Sequence, residues 1–179
     1  MKVITKTASK ASRGRGLRLT WGIHPFPVGE ILVALSAEGL CWLGINCGGG
    51  RLAREFPGAH LTQDAQATEA VAAEIAGLWP ERLERLSVPL VLYGTEFQLK
   101  VWKELLRIKS GSLSTYAAVA RRIGKPKAVR AVGSAVGRNT VSIVVPCHRV
   151  VNKGSGRINY GWGPDIKLAL LKGEKAKNF

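Results

Sequence analysis

The period of the apolar residues changes at Gly94, and that change constrains the fold more than any other feature of the chain. Before it, short β-forming runs alternate with Gly and Pro. Residues 17–21, 29–37 and 39–45 read as strands, with Pro25, Pro27 and Gly29 marking a turn and Gly48-Gly49-Gly50 ending the third run. Sequential strands with short links predict an antiparallel meander. Residues 51–55 start a short helix, and residues 86–93 are extended. Asp64 is placed to cap a helix that reaches Leu78, with Val71, Ala72, Ile75 and Leu78 at helical spacing and Pro80 as the stop.

After Gly94 the pattern is helical. Residues 96–108 carry Phe97, Val101, Leu105 and Ile108 three to four apart. Residues 115–123 form a second helix, with Tyr116, Val119, Ala120 and Ile123 on one face and Ser114 as its cap. Gly124-Lys125-Pro126 then separates it from a third, from Lys127 to about Val136. Two short helices joined by a Gly-containing turn resemble a helix-turn-helix. The predicted fold is α+β: a disordered basic tail at 1–18, a small antiparallel sheet with a helix at 19–93, and a helical domain at 94–179.

Charge narrows the partner. The net charge is +15, which favours a polyanion. No acidic residue lies between Glu104 and Asp165, where eleven basic ones do: Arg107, Lys109, Arg121, Arg122, Lys125, Lys127, Arg130, Arg138, Arg149, Lys153 and Arg157. A stretch of one sign that also holds apolar helices reads as a face for phosphates. Along the third helix Lys127, Arg130, Ser134 and Gly137 recur three to four apart, with Ala131 and Gly133 beside them. A helix face this thin lets the backbone approach another surface closely and leaves Arg130 protruding, and it suits helix packing equally well. The three cysteines, Cys41, Cys47 and Cys147, form no CxxC pair, so a reduced, intracellular setting is expected. No run is apolar enough to be a secretory signal or a membrane span.

One segment carries chemistry. The apolar run Ile143-Val144-Val145 leads through Pro146 to Cys147, His148 and Arg149. An imidazole beside a thiol can take its proton and support the thiolate, and such a histidine is usually oriented by a carboxylate. After Glu104 only Asp165 and Glu174 remain, which makes Glu174 a candidate. A Cys-His pair alone fits a buried structural thiol as well. Metal-ligand spacing is absent around it.

Pro146-Cys147-His148-Arg149-Val150, with Arg130 and Asn139 before it and Tyr160-Gly161-Trp162-Gly163 after it, resembles the O6-alkylguanine-DNA alkyltransferases. The match runs from Gly94-Thr95-Glu96-Phe97-Gln98 through Val101-Trp102, Tyr116, Gly124-Lys125-Pro126 and Arg130-Ala131-Val132-Gly133 to Lys167, Leu170-Leu171 and Glu174. The resemblance implies a repair protein that acts once, as a monomer, with no cofactor. It implies binding of double-stranded DNA from the minor groove, rotation of an O6-alkylguanine out of the stack, and transfer of the alkyl group to Cys147. O4-alkylthymine is a second lesion that the resemblance leaves open. Arg130 then fills the space left by the base, and Lys127, Ala131 and Ser134 join it on the DNA face. Tyr116 rotates the nucleotide and donates to guanine N3. His148 takes the thiol proton through a water, and Glu174 orients His148. Asn139 braces the turn before the reactive segment, and Val150, Tyr160 and Gly161 line the substrate pocket.

Four positions depart from the pattern: Thr140 and Lys109 stand where Pro is usual, Thr115 where Ser is frequent, and Asn159 where Gly is common. His24, Cys41, Cys47 and His60 form no recognisable ligand pattern, so no zinc is expected. The separate cysteine cluster of members with a regulatory domain is absent, which argues against a transcriptional role. The protein is expected in the cytoplasm with the nucleoid of a prokaryote, or in a eukaryotic nucleus. The competing readings are a lesion sensor without alkyl transfer and a plain helix-turn-helix regulator.

Overall fold

The computed structural model describes residues 1–9, 12–152 and 159–177. Lys153 and Arg157 of the basic stretch, and residues 10–11 of the tail, lie outside the described residues. The chain divides into two compact units, residues 1–95 with 140–142 and residues 96–139 with 143–179.

The first unit is built on a six-stranded sheet of order β1-β6-β4-β3-β2-β5. Its strands are β1 (Val3–Thr7), β2 (Arg18–Phe26), β3 (Gly29–Ser36), β4 (Gly39–Ile45), β5 (His60–Gln63) and β6 (Leu90–Gly94). The predicted meander is present as β2-β3-β4, paired antiparallel. The sheet is nevertheless mixed rather than purely antiparallel, because β1 with β6, β4 with β6 and β2 with β5 pair in parallel. The tail at 1–18 is corrected too. Residues 3–7 are the edge strand β1, and Arg13 is buried, its Nη1 donating to Glu55 Oε2 at 3.0 Å.

Pro25 does not end β2, as its place in a turn had suggested; it pairs with Glu30 inside the strand. Beyond Trp21, β2 has no β5 partner, so a missing N–H costs no ladder bond there. In β3, Ile31, Leu32, Val33 and Ala34 are all buried, as expected of a strand covered on both faces. Helix α1 (Gly49–Glu55) follows β4, and α2 (Ala65–Leu78) packs Val71, Ala72 and Ile75 into the core. Asp64 caps α2 as predicted, accepting from the Ala67 N–H at 3.0 Å. Residues 140–142 also belong to this unit: Val141 bridges Leu43, whose N–H donates to the Thr140 carbonyl at 2.9 Å.

The second unit holds α3 (Glu96–Leu105), α4 (Tyr116–Arg122), α5 (Val129–Gly137) and α6 (Pro164–Gly173). Helix α4 is capped by Thr115, whose hydroxyl accepts from the Ala118 N–H at 3.1 Å. Ser114, the predicted cap, instead accepts from Arg122 Nη1 at 3.4 Å. The link to α5 is a Schellman turn: Lys125 N–H donates to the Ala120 carbonyl and Gly124 N–H to that of Arg121, both at 2.9 Å, with Gly124 at φ 72°. Trp102 is fully buried, and its Nε1 donates to the Ala135 carbonyl at 2.8 Å, which ties α3 to α5. A two-residue parallel ladder joins β7 (Ser114–Thr115) to β8 (Val150–Val151).

Candidate active site

Cys147, His148 and Arg149 form a single 3₁₀ turn, all three buried. Pro146 before them gives up a donor and bends the chain, and the Cys147 N–H closes back on the Val145 carbonyl at 2.8 Å. Upstream, Ile143 holds φ 69°, a conformation that costs a β-branched residue about 1–2 kcal/mol. The segment is therefore set by its surroundings rather than by local preference.

Among the described residues, the side chains of Asn139 and Tyr160 reach the thiol. Asn139 Nδ2 lies 3.1 Å from Cys147 Sγ and also donates to the Val145 carbonyl at 2.8 Å. The Tyr160 hydroxyl lies 3.9 Å from Sγ. Burial pushes the Cys147 thiol up, and it outweighs the downward pulls of Asn139, Tyr160 and Lys167. Cys147 therefore rests as a thiol, not as a standing thiolate, and needs a base to become a nucleophile.

An imidazole with the chemistry of such a base is adjacent. Burial pushes the His148 imidazole down in spite of Glu174 beside it, so it rests neutral. Burial alone would raise the Glu174 carboxyl, but hydrogen bonds from His148 and Arg149 bring it to about 2. An ionised carboxylate only accepts, so the 2.8 Å contact between His148 Nε2 and Glu174 Oε1 is an N–H···O bond. The proton of the neutral ring is thus on Nε2. Nδ1 keeps its lone pair, and it is buried with no hydrogen-bond partner among the described residues.

Two groups of the site were quoted with the resemblance but given no role in the sequence reading. Arg149 forks onto Glu174 and also donates to the Ile108 carbonyl. Lys167, 3% exposed, donates to the Val150 carbonyl at 2.7 Å. The signal for Lys167 was available: it shares a helical face with Leu170, Leu171 and Glu174, three, four and seven residues on. Arg149 left no comparable mark among so many cations.

The β7–β8 ladder brings the start of α4 to the reactive segment, pairing Ser114 with Val150 and Thr115 with Val151. Tyr116 follows at once, half-buried, its hydroxyl pushed up by burial first and then by its neighbour Cys147. The α5 residues form a separate, exposed surface. Arg130, Ala131 and Ser134 project outward, while Val132, Ala135 and Val136 face the interior. Lys127 is exposed but precedes α5, which begins two residues later than expected, so it lies at the helix entrance rather than on its face. Gly161 is exposed and Tyr160 half-buried. Residues 96–179 hold 17 of the 27 Lys and Arg and 4 of the 12 Asp and Glu, a net of +13. Among the described residues no three His, Cys, Asp or Glu side chains come together as metal ligands. No described helix is long and apolar enough to cross a membrane.

Residues 96–176 match the family model described as the 6-O-methylguanine DNA methyltransferase, DNA binding domain. The chain is 42% identical over 122 residues to the inducible methylated-DNA–protein-cysteine methyltransferase of Bacillus subtilis, covering 68% of each chain. It is 38% identical over 152 residues to the methylated-DNA–protein-cysteine methyltransferase of Methanosarcina acetivorans, covering 85% of this chain and 96% of that one. The crystal structure of Mycobacterium tuberculosis OGT in complex with DNA is similar with a TM-score of 0.70 and 36% identity, covering 87% of this chain and 92% of the other.

Proposed function

This chain belongs to the methylated-DNA–protein-cysteine methyltransferase family, and from that premise we propose that Cys147 is its alkyl acceptor. The protein is a DNA-repair enzyme that moves the alkyl group of O6-alkylguanine in DNA to its own cysteine. The observation that carries the assignment is the arrangement around the thiol: a buried Cys147, a neutral His148 in the next position, and an ionised Glu174 bonded to His148 Nε2.

The steps follow from those atoms. His148 Nδ1 takes the Sγ proton through a bridging water, and Glu174 stabilises the imidazolium that results. The thiolate attacks the alkyl carbon in line; the S–C bond forms as the C–O6 bond breaks, and guanine leaves as an anion. Tyr116 donates to guanine N3 and Asn139 Nδ2 stabilises the thiolate on its way to the carbon, electrostatic help of the kind that often dominates catalysis. The Cys147 carbonyl accepts the Val150 N–H and the Val150 carbonyl accepts Lys167, so the exocyclic amine of guanine uses their second lone pairs. Tyr160 and the backbone at Gly161 close the pocket. The product is a thioether, a poor leaving group, so each molecule acts once and needs no cofactor.

The guanine reaches this pocket by leaving the duplex. Flipping costs a few kcal/mol, least for a badly paired base. The exposed α5 surface supports entry from the minor groove: Ala131 and Ser134 let the helix backbone come close, Arg130 inserts in place of the base, and Lys127 meets phosphate. O4-alkylthymine fits the same pocket chemistry. The protein acts as a monomer, in the compartment that holds the DNA. In the deciding experiment the protein is mixed with duplex DNA carrying O6-methylguanine and its peptides are weighed. A single methyl on Cys147 is expected; a methyl on Cys41 or Cys47, or none, refutes the assignment.

A further inference from the structure

Every nitrogen of the Arg149 guanidinium is committed. Nε donates to Glu174 Oε2 at 2.9 Å and Nη2 to Oε1 at 2.8 Å, while Nη1 donates to the Ile108 carbonyl. Oε1 is also the atom that accepts from His148 Nε2 at 2.8 Å. One carboxylate oxygen is thus shared between an imidazole N–H and a permanent cation. The sharing takes place where water is excluded: His148, Glu174 and Arg149 are 0%, 5% and 7% exposed.

The consequence follows from electrostatics. A bare buried carboxylate beside an imidazole strongly favours the imidazolium. A carboxylate already held by a bidentate guanidinium favours it much less, because the pair is close to neutral. The fork also fixes the carboxylate plane, and the bond to Ile108 anchors the fork to the turn after α3. We propose that Arg149 is a positioning residue for proton transfer: it holds Glu174 oriented and ionised, and limits how firmly the Glu174–His148 pair retains a proton. A base that must accept a proton from Cys147 has to rest without one. With Glu174 unopposed, His148 would rest protonated closer to neutral pH and could not deprotonate the thiol.

Among the described residues the charged and titratable groups that bear on His148 are few. From its own turn come Cys147 and Arg149, and from α6 and its C-cap come Lys167 and Glu174. Burial opposes the imidazolium most, Arg149 and Lys167 add to that opposition, and Glu174 alone works against it. Arg149 acts in a second way that Lys167 does not, since it bonds directly to the carboxylate.

The proposal rests on His148 being the base, and two readouts separate the two ideas. The first is the rate of reaction of the full chain with free O6-benzylguanine across pH. The second is the titration of the His148 ring by NMR, which needs no alkyl transfer. Arg149→Gln should move both midpoints to higher pH by about one pH unit, with the rate recovering toward that of the unaltered protein in alkali. Glu174→Gln should move them to lower pH. Arg149→Lys keeps the charge but loses the fork, and should restore the midpoint only in part. A folded Arg149→Gln protein with an unmoved His148 midpoint, or with the same fractional loss of rate at every pH, overturns the proposal. A shifted His148 titration beside a rate profile that keeps its midpoint upholds the coupling of Arg149 to His148 and overturns His148 as the base.

Discussion

Glu174 is the residue on which the site turns, and its ionisation has a consequence for stability. Its carboxyl lies at about 2 in the folded protein, below the ordinary carboxylate value near 4.3. A depressed carboxylate binds fewer protons folded than unfolded, so its contribution is complete above the unfolded value and is lost as pH falls through the folded one. The melting temperature should therefore drop between about pH 4.5 and pH 2, and Glu174→Gln should flatten that part of the curve. Calorimetry across this range checks it, and an equal slope in both proteins would sink the claim. Catalysis offers a second prediction at the same scale. Tyr116→Phe should slow transfer by roughly tenfold to a thousandfold, the span seen when one donor to a developing anion is removed. Single-turnover kinetics on duplex and on free benzylated guanine would show it, and an unchanged rate on both would contradict the role. At this scale the sequence was legible where residue type is rare. Cys147 next to His148, and Glu174 as one of two late carboxylates, stand out by scarcity. Arg149 does not, because what distinguishes it from the other cations is burial, and burial is decided by the fold.

Among the elements, α5 has a buried face and an exposed one, so the proposed binding can be tested apart from stability. Its inner face, Val132, Ala135 and Val136, holds the helix to the unit, together with the Trp102 bond to the Ala135 carbonyl. Its outer face carries no such burden. Ser134→Leu on that exposed face should leave the unfolding free energy within about 0.5 kcal/mol, while weakening duplex binding and sparing reaction with free benzylated guanine. Equal binding by the two proteins would refute close approach of this helix to DNA. The elements that sequence reasoning missed share a cause. β1 and β5 are edge strands, largely exposed, and so show no clean apolar alternation to betray them. The β7–β8 ladder is two residues long and joins positions far apart in the chain, out of reach of any local pattern. Helices α3, α4 and α5 were legible because each buries one stripe, with ends moved by a few residues where caps, such as Thr115 for Ser114, decide the boundary; α6 went unread.

Charge and connectivity belong to the whole molecule. With +13 of the net +15 on residues 96–179, binding of a Cys147→Ser protein to duplex DNA should be strongly salt-dependent. If about four phosphates are neutralised, a fourfold rise in salt costs roughly a hundredfold in affinity. A titration at several salt concentrations gives the slope, and a flat line would contradict a phosphate face. The sequence placed the change of architecture near Gly94 but not the return of the chain at 140–142, which takes three residues between α5 and the reactive turn into the first unit. That return has a meaning for descent. A module that can be copied between genes must carry its own folding partners, yet a gene fragment coding for residues 96–179 alone would encode a Val141 whose strand partner, Leu43, is written elsewhere. Helix α5 and Cys147 are thus bound to one N-terminal sheet in inheritance, and changes near Leu43 should be answered by changes at 140–142 rather than accumulate alone.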